Sequence, residues 1–340
     1  MAERLVRNAA GGVEPEPPPD GPLAFHRSLP GYTPSPLVDA PAAARALGVA
    51  RVLVKDESSR FGLPSFKVLG ASWAAYRALS ERAGAELGVG ELRERLAGAP
   101  ALACATDGNH GRAVARMAAI FGLPATVFVP DDMVAARREA IAAEGATVEV
   151  VAGTYDEAVE RAAALHGDDV LVVQDTSWPG YEDIPRWVID GYATIGAEIE
   201  VEPDVVAVQI GVGSFAAAMV RRFAAARLIG VEPVRSACML ASIEAGELVD
   251  LPGPHVSVMA GLNCGRPSPQ AWPVVSAAVE AFAAVGDRWA HEAVALLGRD
   301  GVTAGESGAA GLAGLLAFHA ELELDPGDTV LIVNTEGRTA

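Results

Sequence analysis

A chain of 340 residues with 51% hydrophobic content can bury a sizeable core, as one long domain or two modest ones. Its formal net charge of −18 argues against nucleic acid or an anionic membrane as partner, because both need basic patches. No apolar run approaches the roughly 18 residues of a membrane span, the N-terminus lacks a signal-like apolar core, and Cys104, Cys238 and Cys264 form no CxxC, so a cytoplasmic protein with structural thiols is expected. Whether Cys238 and Cys264 pair is open at this level.

The opening GGVEPEPPPDGP mixes glycine, proline and acid without periodicity, and residues 1–22 read as a flexible N-terminal arm. Short β-rich runs follow: RVLVK, ALACA, ATVFVP, TVEVV, VLVVQD, VVAVQI, RLIGVE and TVLIVN. Between them lie longer Ala-rich stretches of helical period, such as GRAVARMAAIFG and YDEAVERAAALHG. That alternation predicts βαβ units and a parallel sheet covered by helices on both faces, with ligands at the carboxyl ends of the strands.

Within this order, RFGLPSFKVLGASWA sets Lys67 between Phe66 and Val68, just where a helix should begin. Burying an unpaired ammonium is costly, so the lysine either snorkels to water or is held for chemistry. Apolar flanks would lower its pKa and favour the uncharged amine. Next, ALACATDGNHGRAVA runs from a strand through Thr106, Asp107, Gly108, Asn109 and His110 into a helix, a junction that offers backbone N–H groups to an anion. A plain N-capped turn, with Asp107 or Asn109 as cap, explains the same residues. In VVAVQIGVGSFAAAMV the strand meets Gly211, Val212, Gly213 and Ser214 ahead of another helix, which suits one phosphate better than a dinucleotide. A tight strand-to-helix turn is the competing explanation. The last strand ends in Asn334, Thr335, Glu336 and Gly337, either a turn or a ligand-facing edge. One lysine, one phosphate nest and a polar strand end together suit pyridoxal 5′-phosphate, with its aldehyde, phosphate and ring nitrogen. The six histidines show no metal-ligand spacing.

The motifs SFK, GNHG and the glycine-rich loop resemble the fold-type II pyridoxal-phosphate enzymes, the superfamily of tryptophan synthase β and threonine deaminase. More specifically, LPGYTPSPL, VLVKDESSRFGLPSFKVLG, ATDGNHGRAVA, VQDTSWPGYEDIPRWVIDGYATI, GVGSFAAA, MAGLNCGRPSP, GESGAAGL and NTEG resemble, in order, the diaminopropionate ammonia-lyase family. The resemblance implies α/β architecture with two open, twisted, mostly parallel lobes and the cofactor in the cleft between them. It places the large domain at 23–65 plus 154–340 and the small one at 66–153, and it suggests a homodimer.

The resemblance also implies a reaction, elimination of ammonia from 2,3-diaminopropionate to give pyruvate through aminoacrylate. Lys67 would hold the cofactor as a Schiff base, next to Phe66. Asp107 and Asp175 would be the bases for the two substrate enantiomers; a helix cap and a turn or salt-bridge residue are their structural alternatives. Asn109 would bond the cofactor ring oxygen, and the amides around Thr106 and His110 would hold the substrate carboxylate. Gly211, Val212, Gly213 and Ser214 would take the phosphate. Thr335 would face the pyridine nitrogen, and Glu306 either approaches the cofactor or sits in an ordinary turn. A serine/threonine deaminase, a β-replacement enzyme, a lyase for a modified diaminopropionate and a non-catalytic amino-acid-binding protein are the alternatives.

Overall fold

In a computed structural model of the chain, residues 2–9, 15–96, 100–106, 108–153 and 155–338 are described. Strands β1 (Arg4–Arg7), β2 (Leu37–Asp39) and β3 (Arg51–Asp56) come first. Then follow β4 (Ala101–Ala105), β5 (Ala125–Pro130), β6 (Thr147–Val151) and β7 (Val170–Val172). The last are β8 (Val205–Gln209), β9 (Arg227–Pro233), β10 (Ala281–Val285) and β11 (Thr329–Asn334). They build two sheets, β1-β10-β9-β8-β11-β3-β2 and β6-β5-β4-β7. The chain divides into two compact units. The smaller takes Gly21–Tyr32 and Lys67–Gly191; the larger takes the described residues up to Asp20, Thr33–Phe66 and the described residues from Tyr192 on.

In the larger unit β8, β9, β10, β11 and β3 run parallel, and antiparallel β1 and β2 close the two edges. Every residue of β8 and β10 is buried, so these strands read as continuous apolar runs, as parallel strands covered on both faces must. One covering helix, Ala310–Ala317, approaches unusually closely: a Cβ on Gly311 would stand 2.9 Å from the carbonyl oxygen of Ala207. Its Leu312 and Leu315 join Val205, Ile229, Val330 and Ile332 in the core. The chain passes from β8 to β9 to β10 in one direction and then crosses back to β11, so the strand order reverses between β8 and β11.

All four strands of the smaller unit are parallel. Here β4, β5 and β6 step one way and β7 returns to the other side of β4, which puts a second reversal between β4 and β7. In open α/β sheets such reversals open a crevice at the carboxyl ends of the strands. Helix Asn109–Phe121 leaves β4 at that point and ends on Gly122, whose φ of 71° is a left-handed cap that most other residues would resist. Helix Lys67–Ala83 is tied to helix Gly21–Ser28 by Phe25, stacked on Tyr76 at 4.3 Å, and by buried His26, whose Nε2 lies 2.9 Å from Ser72 Oγ.

Three expectations about domains differ from this structure, the first being that residues 23–32 go with the large domain, whereas Gly21–Tyr32 belongs to the smaller unit. The sequence reading makes residues 1–22 a loose arm, but Arg4–Arg7 pairs with β10 from Arg4 opposite Ala284 to Arg7 opposite Ala281. An open sheet edge leaves N–H and C=O groups that a strand can satisfy, and this one is further fixed by Asn8, whose Nδ2 donates to the carbonyls of Ser276 and Val279. The predicted small domain ends at 153, whereas the compact unit continues to Gly191. The reason is β7, which pairs with β4; an apolar run such as VLVVQD does not declare which sheet it joins.

Candidate active site

At the reversal of the smaller sheet, Lys67 opens helix Lys67–Ala83 and its Nζ donates to Asp175 Oδ2 at 2.8 Å. Asp175 follows β7 and is buried. Burial alone raises an acid, but the Lys67 ammonium, with His110 behind it, holds the Asp175 carboxyl well below the usual carboxylate range. The expected apolar sleeve for Lys67 is therefore corrected to an ion pair. The sequence neighbours Phe66 and Val68 did not reveal a carboxylate delivered from 108 positions further along.

His110, in the first turn of helix Asn109–Phe121, donates from Nε2 to the carbonyl of Val173 at 2.8 Å; a carbonyl only accepts, so that nitrogen carries the proton. Thr106 Oγ1 accepts the N–H of Gly108 at 2.9 Å and of Gly111 at 3.1 Å, so these two amides are already satisfied inside the loop. The N-cap is Gly108 rather than Asp107 or Asn109; Asn109 is half-buried as the first helical residue. Asp107 lies outside the described residues.

Sequence reasoning missed several residues here. Gln174 Oε1 accepts the N–H of Ala105, tying the ends of β4 and β7, while Tyr181 donates to the carbonyl of Val172 and accepts the N–H of Gln174. Trp178 stacks on Tyr181 at 4.0 Å. Together they fix the loop that carries Asp175. The hydroxyls of Thr176 and Ser177 beside it are buried and have no hydrogen-bond partner. Nothing in TSWPGY announces these cross-strand bonds. On β4, burial and then the Asp175 charge push the Cys104 thiol far up, so it stays protonated.

The larger unit holds a second group at its own reversal. β8 leads through Gly211, Val212 and Gly213 into helix Ser214–Arg222. Gly213 has φ 99°, and a Cβ there would meet Met239 Cε at 2.8 Å and Ala271 Cβ at 3.1 Å. Ser214 Oγ is buried at this N-terminus without a partner. A glycine turn that brings backbone close and an unmatched hydroxyl at the positive end of a helix suit a phosphate. Cys238 and Cys264 are not joined by a disulfide and lie beside this loop: Cys264 Sγ would be 3.3 Å from a Cβ on Gly211, and Cys238 Sγ lies 3.8 Å from the Gly211 carbonyl oxygen.

At the end of β11, Thr335 Oγ1 accepts a hydrogen bond from Gln209 Nε2 at 2.8 Å. Asn334 is structural: its Nδ2 donates to Asp56 Oδ1, joining β11 to β3. Phe66 N donates to the Thr335 carbonyl, and the Phe66 ring packs on Tyr192 and edge-on against Phe215. Glu306 lies 3.9 Å from His291 in a half-exposed pair.

A buried ion cluster escaped the sequence reading entirely. Glu198 receives Lys55 Nζ at 2.6 Å and Arg60 Nη2 at 2.8 Å, and Arg60 also holds Glu57 at 2.7 Å. Lys55 ends the β-rich run RVLVK, and its side chain is 1% exposed. Two cations and two anions balance there. Among the described residues no group of three or more His, Cys, Asp or Glu is arranged to hold a metal, and no helix is long and apolar enough to cross a membrane.

The smaller unit thus holds a lysine with an adjacent carboxylate, and the larger unit an anion cradle and a hydroxyl at a strand end; each suits one of the groups that pyridoxal phosphate carries. The chain belongs to the family of pyridoxal-phosphate dependent enzymes, whose model matches residues 28–336. Within that family it is 35% identical to the diaminopropionate ammonia-lyase of Escherichia coli (strain K12), over 93% of this chain and 87% of that protein. The crystal structure of the Escherichia coli diaminopropionate ammonia-lyase in complex with D-serine superposes with a TM-score of 0.89 and 32% identity, covering 99% of this chain and 94% of that one. The biosynthetic L-threonine dehydratase of Mycobacterium leprae is 30% identical over 92% of this chain and 70% of that protein. The α/β fold with mostly parallel sheets is the fold-type II architecture expected from the motifs.

Proposed function

We propose that this enzyme eliminates ammonia from 2,3-diaminopropionate, yielding pyruvate and ammonia. The observation that carries the proposal is the Lys67–Asp175 pair at the carboxyl end of β7, an amine and a base within 2.8 Å of each other. Similarity to diaminopropionate ammonia-lyases over nearly the whole chain supports the choice of substrate.

Bound pyridoxal phosphate supplies an electron sink for the negative charge that develops at the substrate α-carbon. In this reading Lys67 would anchor the cofactor through its aldehyde group, and Gly211, Val212, Gly213 and Ser214 would hold the phosphate. Thr335 would face the ring nitrogen and Asn109 the ring oxygen, with Phe66 next to the lysine. Asp175 Oδ2 takes the α-proton of one enantiomer. Asp107, by family resemblance, takes that of the other and keeps the leaving β-amine cationic, since an unprotonated amine is a poor leaving group. The loop from Thr106 to His110 would orient the substrate carboxylate, through amides other than those of Thr106, Gly108 and Gly111, which already have acceptors. A cytoplasmic location and a homodimeric state belong to the same proposal, which light scattering tests for the dimer.

Borohydride reduction of the loaded enzyme followed by peptide mapping should leave a pyridoxyl group on Lys67. Keto acid should form faster from D- or L-diaminopropionate, as pyruvate, than from serine, as pyruvate, or from threonine, as 2-oxobutyrate. A tag on another lysine refutes the cofactor assignment, and preferred turnover of threonine replaces the lyase by a dehydratase, the reading that the threonine dehydratase likeness favours.

A further inference from the structure

Gln209, the last residue of β8, has a side chain whose surroundings leave it a single orientation. Its amide nitrogen is near four oxygens: Thr335 Oγ1 at 2.8 Å, the Val333 carbonyl at 2.9 Å, and the Ser307 and Gly308 carbonyls at 3.2 and 3.3 Å. Three of the four are carbonyls, which only accept. Turning the amide over would aim Oε1 at all three acceptors, so the NH2 group must face them whatever an electron-density map could distinguish.

The consequence falls on Thr335. An amide nitrogen has no lone pair to offer, so Thr335 Oγ1 is the acceptor in this pair. A hydroxyl has one hydrogen, and here it is directed away from Gln209. Thr335 is 4% exposed, so bulk water is not an adequate acceptor for that hydrogen. What it needs is a ligand atom with a free lone pair at the β8–β11 reversal. A neutral pyridine nitrogen satisfies this; a protonated one would set donor against donor.

We propose that Gln209 is a positioning residue: by occupying a lone pair of Thr335 it locks that hydroxyl as a hydrogen-bond donor and so holds the cofactor ring nitrogen in its unprotonated form. This rests on the reading above that Thr335 faces the ring. Gln209 itself touches neither cofactor nor substrate in the mechanism; it acts through the Thr335 rotor. Without it the hydroxyl turns, the carbonyls that lost their donor compete for its proton, and a lone pair can face the ring.

The test uses the holoenzyme reconstituted with cofactor carrying nitrogen-15 in the ring. In the unmodified enzyme the ring resonance should lie at the neutral-pyridine position. Gln209→Met, nearly isosteric but without a donor, should move it toward the protonated position and lower kcat more than it changes KM. In a Thr335→Val background the same substitution should produce no further shift. An unchanged resonance in Gln209→Met, or an equal shift in the Thr335→Val background, overturns the proposal. If Thr335→Val alone leaves the resonance unmoved, the placement of Thr335 at the ring fails instead. Should Gln209→Met not fold, neutron diffraction of the unmodified holoenzyme decides: a deuteron between Thr335 Oγ1 and the ring nitrogen supports the lock, and one directed at Val333 O overturns it.

Discussion

Replacing Glu198 with glutamine removes one anion from the buried cluster while keeping the side-chain volume. In the native chain Glu198 takes Lys55 at 2.6 Å, both Arg60 amino groups at 2.9 and 2.8 Å, and the N–H of Ser35 at 3.1 Å. After the change, two cations that are each 1% exposed face Glu57 alone. An uncompensated buried charge of this kind costs about 3–5 kcal/mol. At about 2 °C per kcal/mol for a unit of this size, the melting temperature should fall by roughly 6–10 °C. Adding Lys55→Met restores neutrality and should recover more than half of the loss. The effect also depends on pH. Burial raises the Glu198 carboxyl, but Arg60 and Lys55 outweigh it and hold the group below its ordinary value of 4.5. A depressed folded pKa gives stability that is present above the unfolded value and lost as pH falls through the folded one. The gap between native and Glu198→Gln proteins should therefore narrow below pH 4.5. Differential scanning calorimetry at several pH values reads both effects. A fall of less than about 2 °C, or a Lys55→Met change that adds to the loss, would refute the view that the cluster is held by charge balance.

Asp175→Asn should lower turnover of one diaminopropionate enantiomer by about 10²–10⁴-fold, the usual contribution of a positioned base, and leave the other within about threefold. Separate pyruvate assays on the two enantiomers check this, and equal losses on both contradict the assignment. Glu232 is buried on β9, where burial raises its pKa to about 8 although it accepts the N–H groups of Met239 and Leu240. Its stabilising contribution is full below the unfolded value of 4.5 and lost as pH rises through about 8. Relative to the native protein, Glu232→Gln should thus become progressively more stable between pH 5 and 8.5, and a melting-temperature difference independent of pH counts against it. Gly213→Ala forces a left-handed residue, at about 1–2 kcal/mol, and puts a methyl 2.8 Å from Met239 Cε. Cofactor affinity, measured by fluorescence titration, should weaken; unchanged affinity would mean that this loop does not hold the phosphate.

The βαβ order and the three polar or glycine-rich loops at strand ends were legible because each rests on local signals. Apolar runs bounded by turn residues mark β4, β8 and β11, and glycines mark the places where backbone must approach closely. Lys67 stood out since a lone cation in an apolar stretch needs an explanation within a few residues. Registers and edges were less visible. Nothing in RLVR announces that Arg4–Arg7 will close the β10 edge, because a four-residue strand gains its stability from the partner and not from its own sequence. Likewise VLV in β7 reads the same whether it joins one sheet or the other, and the small unit's boundary moved accordingly.

Polar residues that act through long-range partners were the least legible, and they shape the site most. Lys55 and Glu198 are 143 positions apart, and Gln209 and Thr335 are 126 apart. In the sequence Lys55 and Gln209 are only the polar ends of the β-rich runs RVLVK and VVAVQ. Both gain their meaning from burial, since a hydrogen bond that is worth little against water becomes decisive when the alternative is an unsatisfied donor. Gln209 shows how far this reaches. Ser307, Gly308 and Val333 contribute only carbonyls, yet by fixing one amide they fix the proton of a hydroxyl on another strand. The family resemblance placed Thr335 near the ring nitrogen; which atom donates to which follows from those carbonyls, and they are invisible in any motif because every residue carries one.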